Sequence, residues 1–397
     1  MSLLITMVVA VAGGWAFMKL HSWRVLRRAA AREAREADEL RAQAPATIVP
    51  SRHGLVPRAE LVLVGTRHSP EAAAALDAAR SGDWRPAAAY LTASGADGAD
   101  GADADRRWAR AVPFTDLAVE DDAWLQAWRR EQPQNAEAAV LHARALVGVA
   151  WEIRTRKRAH QVTREQAAGF HRVLGEAEAA AREAVLIAPA DDPNPWVVLL
   201  PVARGHSWDN DRVRELWSEI TARDPQHWAA HGQALQYWCE KWHGSHAAMH
   251  EFIDTAIAAA PVGSLLAPRK LEALWEQYAG SEEAATAYRT AQVSAALDTA
   301  LADLAAADPG HPGVEHARGW LAFMLGENGR PAEAVAQFQA LKHTVPWPWA
   351  DYHDPLSAFT GDRAAAVLAA PDASNTPDAS DASDTSDGQA DQLATAG

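Results

Sequence analysis

Cysteine is almost missing from this chain: Cys239 is the only one in 397 residues, which excludes an intramolecular disulfide framework and fits a reducing compartment. Lysine is also scarce, five against thirty-two arginines, a bias without functional meaning. Runs of Val, Ile and Thr are nearly absent outside two short stretches, which argues against an extended sheet. No P-loop, dinucleotide fingerprint, C-x-x-C or H-E-x-x-H spacing occurs. The nearest approach to a nucleophile elbow, Gly205-His206-Ser207-Trp208-Asp209, lacks the second glycine and a preceding strand. The carboxylate groups Glu120-Asp121-Asp122 and Asp191-Asp192 stand at expected helix starts, where negative charge favours the helix dipole. No cofactor and no catalytic residue is expected.

Positive charge is short as well. The net charge is −15, divided as +4 over residues 1–60, −13 over 61–370 and −6 over the lysine- and arginine-free tail 371–397. An acidic body repels phosphate backbones and carries no continuous basic stripe, so DNA and RNA are excluded as partners.

Alanine is what the chain has in abundance, and 48% of its residues are hydrophobic, a composition that favours helices. The first apolar run, Leu3 to Met18, holds no charge and reaches about eighteen residues if Lys19 snorkels, near the lower limit of roughly 17 for a spanning helix. Lys19, Arg24, Arg27, Arg28, Arg32 and Arg35 follow this run and none precedes it, which places the N-terminus outside and the body at the cytoplasmic face of a bacterial membrane. A cleaved signal, or a soluble cytoplasmic protein, including one whose chain starts at Met18, are the alternatives. Residues 1–22 are thus a candidate single-pass transmembrane anchor, and 23–45 a charged juxtamembrane helix with Arg32 and Glu36 at i, i+4 spacing.

Residues 46–69, broken by Pro50 and Pro57, read as a linker with a short strand or turn at Leu61 to Val64. A helical body is expected over 70–362, starting with helices at Pro70 to Ser81 and Trp84 to Thr92. It is interrupted near 95–105 by the repeat GADGADGADAD, which has no apolar surface to bury and reads as mobile. The tail 363–397 is expected to be disordered.

Within the body, prolines close alanine-rich runs at Pro133, Pro189, Pro225, Pro261, Pro309 and Pro346, with gaps of 56, 36, 36, 48 and 37 residues. Three gaps lie near the 34-residue unit of a helix-turn-helix repeat. Thr163 and Gln166 form a capping box ahead of Phe170, Val173, Ala177, Ala181 and Ala184 on one helical face. Ala317 to Pro346 carries the pattern best: Leu321 and Ala322 on a first helix, Gly329 at the turn, Ala334 and Phe338 on a second helix, and a closing Pro346. Ser81 to Leu91 repeats the turn-glycine spacing through Gly82 and Ala87, and Gly232 follows Trp228 by four residues.

These positions resemble the tetratricopeptide repeat family, with Arg318, Leu325 and Leu341 departing from its pattern. The stretches ALQYWCEKWHGSH and PWPWADYHDP also resemble bacterial tetratricopeptide-like proteins. The resemblance implies an all-α fold, a right-handed superhelix of helical hairpins, and a scaffold or adaptor that binds a protein or peptide in the groove of its first helices.

Two site hypotheses follow. On one uninterrupted helix, Cys239, His243, His246 and His250 would share a face at i, i+4, i+7 and i+11, a zinc-capable set for a metal-dependent enzyme or sensor. Gly244-Ser245, at an expected turn, stands against it. The other set is a partner-binding surface comprising Arg204, His206, Trp228, Gln233, Gln236, Trp238, Trp242 and His243. Most of the seventeen tryptophans are expected to wedge between alanine-rich helices, and Trp347 and Trp349 to cover the end of the last hairpin.

Overall fold

The computed structural model describes residues 48–93, 102–154 and 162–370, and within them the protein is all-helical apart from one pair of two-residue strands. The candidate anchor, the juxtamembrane helix, the acidic repeat up to residue 101 and the tail from residue 371 lie outside the described residues. Among the described residues no helix is long and apolar enough to cross a membrane.

Helices α1 (Pro70–Arg80) and α2 (Arg85–Thr92) form where the sequence places them; Ser69 caps the first by accepting the Ala72 N–H. Three short helices follow: α3 (Ala102–Arg110), α4 (Val112–Glu120) and α5 (Ala123–Glu131). Trp128 of α5 is fully buried and stacks on Trp84 at 5.6 Å, so large rings fill the space left by Ala75, Ala79 and Ala87. The longest hairpin is α6 (Ala136–Arg154) against α7 (Arg164–Ile187). Its capping box at Thr163 and Gln166 is formed in both directions, and Phe170, Val173, Ala177, Ala181 and Ala184 are buried as their spacing requires.

Beyond it come α8 (Asn194–Val197), α9 (Leu199–His206) and α10 (Asn210–Arg223), then α11 (Trp228–Trp238) paired with α12 (His246–Ala259). The C-terminal part contains α13 (Arg269–Tyr278), α14 (Ala284–Ala287), α15 (Ala291–Ala306), and the closing hairpin α16 (Val314–Asn328) and α17 (Pro331–Leu341). In that hairpin Leu321, Ala322, Ala334 and Phe338 are buried at the crossing, and Gly329 turns the chain at φ 86°, a left-handed conformation that glycine adopts without a Cβ clash.

Three segments depart from expectation. Residues 50–64 are docked on the far end of the chain. Val62–Leu63 (β1) pairs in parallel with Thr344–Val345 (β2), Leu55 and Leu61 are buried in the C-terminal core, and Arg363 donates to the Val56 carbonyl at 2.8 Å. Pro50 and Pro57 stop a long helix but leave an extended chain that can add to an edge. The tail begins later than residue 363: α18 (Pro355–Ala369) buries Phe359, Ala364 and Ala366 against α17. Its Phe359, with Phe338, encloses the fully buried Trp349, which covers the last hairpin from beneath this added helix.

The third departure is the end of the acidic repeat. Ala102 to Asp105 open α3, and Asp105 is only 4% exposed because its carboxylate satisfies the start of α11. It accepts the Trp228 N–H at 2.8 Å and the Ala229 N–H at 3.2 Å, while His227 accepts the Ala230 N–H through Nδ1. The neighbours of Asp105 reach other parts of the chain. Arg106 pairs with Asp308, Arg107 with Asp192 at 2.9 Å, and Trp108 lies under the Arg144 guanidinium at 3.9 Å. One short helix thus ties together the chain near residues 144, 192, 228 and 308.

Candidate functional site

The histidine-cysteine face does not form. Helix α11 ends at Trp238, Cys239 is its extended C-cap, and α12 starts afresh at His246 behind the Ser245 N-cap. Gly244 makes the turn possible: a Cβ there would sit 1.8 Å from the Trp238 carbonyl oxygen. The four side chains scatter as a result. The Cys239 thiol contacts the Leu235 carbonyl and Met249 Sδ, and burial pushes its pKa up to about 12. His243 bonds the Arg204 carbonyl at 2.9 Å, His246 faces Glu240 at 3.2 Å, and His250 meets Gln277 at 2.6 Å. Among the described residues no group of three or more His, Cys, Asp or Glu is placed to hold a metal ion.

Part of the other candidate set does converge. Arg204 on α9 and Gln233 on α11 line one cavity of about 210 Å³ with Trp108, Arg144, Trp151 and Pro201. Arg204 approaches Gln233 Oε1 at 3.4 Å and lies over the Trp151 ring at 4.8 Å and the Trp242 ring at 5.5 Å. Trp151 and Trp242 meet edge to face at 5.5 Å, and Arg154 covers both, at 5.4 and 4.9 Å. Three guanidiniums, Arg144, Arg154 and Arg204, are therefore held by aromatic faces. Arg144 also donates to the Trp108 carbonyl at 2.9 Å.

No ion pair within 4.0 Å links these three arginines to a carboxylate among the described residues, although the chain is strongly acidic. Burial lowers Arg144 and Arg204 to about 10 each; Asp116 and Glu137 oppose the shift at the first, while Arg154 adds to it at the second. Among the described residues the Arg204 Nε and the Trp151 Nε1 are buried donors without an acceptor.

The remaining candidates do other work. Trp242 and His243 support Arg204 from the turn, through its side chain and its carbonyl. Gln236 donates to Glu276 at 2.7 Å, and His206 stacks on His171 at 5.8 Å. Trp228 lies under Arg269 at 3.7 Å beside the Asp105 contact, where Arg269 also pairs with buried Glu272 at 2.7 Å. Burial would raise the Glu272 carboxyl, but the charges of Arg269 and His316 hold it below the ordinary range. Trp238 belongs to a separate, mostly apolar groove of about 500 Å³ with Trp217, His231 and Phe252, between α10, α11 and α12.

Sequence reading missed Arg144, Arg154, Trp108 and Trp151. A visible signal was the run Arg154, Arg156, Lys157, Arg158, four cations in five residues of an acidic chain, directly after Trp151. Arg144 gave none, since a lone arginine on an alanine-rich helix reads as exposed. No family model, curated protein or solved structure matches the chain.

Proposed function

We propose that the protein is a non-enzymatic binding scaffold: a right-handed superhelix of tetratricopeptide-like hairpins that receives a protein or peptide partner at the cavity between Trp108, Trp151, Arg204 and Gln233. The observation that carries this reading is the lining itself, in which arginine and tryptophan, the residues that dominate binding energy at interfaces, gather from three helices, α3, α6 and α9. The cavity is smaller than the roughly 300 Å³ at which pockets for whole small molecules begin, and so suits one side chain or terminus of a larger partner. Pairing of consecutive helices with a left-handed glycine at the last turn supports the repeat architecture. The uncharged run Leu3 to Met18, followed by basic residues, would hold the scaffold at the cytoplasmic face of a membrane.

Affinity capture with crosslinking from the native membrane fraction tests this reading, comparing the wild-type chain with Trp151→Ala and with an exposed control, Leu186→Ala. A discrete partner retained by wild type and control but lost with Trp151→Ala is the expected result. Equal retention by all three chains overturns the assignment to this cavity.

A further inference from the structure

We infer that the ligand group entering the Arg204 cavity is a carboxylate, presented by an acidic side chain or the C-terminus of a peptide. The inference rests on the scaffold reading above and adds the chemistry of the occupant. Arg144 and Arg204 line the cavity, and Arg154 stacks on the Trp151 that forms its wall. A buried guanidinium without a counter-charge is costly. Asp116 and Glu276 are close enough to influence Arg144 and Arg204 electrostatically, yet among the described residues neither forms an ion pair with these arginines. The aromatic faces of Trp108, Trp151 and Trp242 hold the cations in place without neutralising them.

The inventory of polar groups points the same way. Among the described residues the cavity wall offers two guanidiniums, the Gln233 amide and the Thr115 hydroxyl, with no carboxylate, while Arg204 Nε and Trp151 Nε1 lack acceptors. A planar guanidinium matches a planar carboxylate in two parallel hydrogen bonds. The rest of the wall, including Val147, Val198 and Pro201, is apolar and accepts the carbon stem that brings such a group in.

Isothermal titration of the full chain with an acetylated tetra-aspartate peptide, an acetylated and C-terminally amidated tetra-asparagine peptide that holds no carboxylate, and inorganic phosphate tests the inference. The account expects tetra-aspartate to bind, more weakly as salt rises, and tetra-asparagine not to bind. It expects Arg204→Gln to weaken tetra-aspartate by about tenfold or more, as loss of a charge-assisted hydrogen-bond pair does. Arg154→Gln, at a half-exposed position, should weaken it as well and guards against a folding defect at Arg204. Absence of tetra-aspartate binding, or binding indifferent to both variants, overturns the inference; binding of phosphate alone overturns the carboxylate assignment. If tetra-aspartate fails while Trp151→Ala still abolishes partner capture, only this inference falls. If the peptide binds and capture is indifferent to Trp151, the carboxylate site stands and the assignment of partner capture to this cavity falls.

Discussion

Asp105 and Trp228, 123 residues apart, meet at 2.8 Å through a buried carboxylate and a backbone N–H. This contact joins a sequence that reads as a solvated acidic repeat to the first turn of α11. Three N–H groups of that turn are satisfied by Asp105 and His227 together. Burial would raise the Asp105 carboxyl, yet His311 at 3.7 Å, the charge of His227 and the two N–H groups hold it below its ordinary value.

Asp105→Asn keeps the shape and removes the charge. It should lower stability by about 1 to 3 kcal/mol, the range for hydrogen bonds to a charged group. Asp308→Asn breaks an exposed pair with Arg106 and should cost no more than about 1 kcal/mol. Urea denaturation of both variants checks the difference.

Acid should destabilise the fold before the carboxylates titrate. Burial lowers His231 and His142 from 6.5 to about 4 each. Between those values the unfolded chain binds protons that the folded chain does not, so stability rises with pH across that window and is lost on acidification. Thermal melts from pH 4 to 7 should show this slope, and His142→Gln should reduce it. Asp105 and Glu272, both depressed, extend the loss to lower pH, below the ordinary carboxylate range.

The turn at Gly244 permits no side chain. Gly244→Ala places a methyl group 1.8 Å from the Trp238 carbonyl oxygen, and relief requires backbone movement in the α11–α12 turn. A loss of about 1 to 3 kcal/mol is expected, as for overpacking of a filled site. The same movement should displace Trp242 and His243 from Arg204, which a change in arginine side-chain NMR signals would report.

Residues 50–64 close the C-terminal end from a great distance in sequence. Leu61→Ala should cost about 2 to 5 kcal/mol, the range for a buried leucine, and loosen the C-terminal hairpin locally. Hydrogen exchange should accelerate in β2 and α18 before it changes in α6 and α7. Uniform acceleration would show that this docking carries the whole fold.

Helices were legible where local signals suffice. The Thr163 capping box, the alanine face of α7 and the Gly329 turn each depend on neighbours within a few residues, and each forms as read. Asp105, Val62 and Arg144 were not legible, because their partners lie 123, 282 and 36 residues away and composition says nothing about such pairs. Of the binding candidates, Arg204 and Gln233 were found through the tryptophan-rich hairpin around them. Trp108 and Trp151 were not among the binding candidates, because a tryptophan in an alanine-rich helix reads first as packing. The metal hypothesis failed on one glycine, since periodicity continues across Gly244-Ser245 only if the helix does.

In the proposed complex the partner enters at Gln233. A photocrosslinking residue placed at Gln233 of the full-length chain in cells, with the 87% exposed Leu186 as the comparison position, tests it most directly. One discrete adduct is expected from position 233, absent from position 186 and lost when Arg204→Gln is added. No adduct from 233, or the same adducts from both positions, would contradict it.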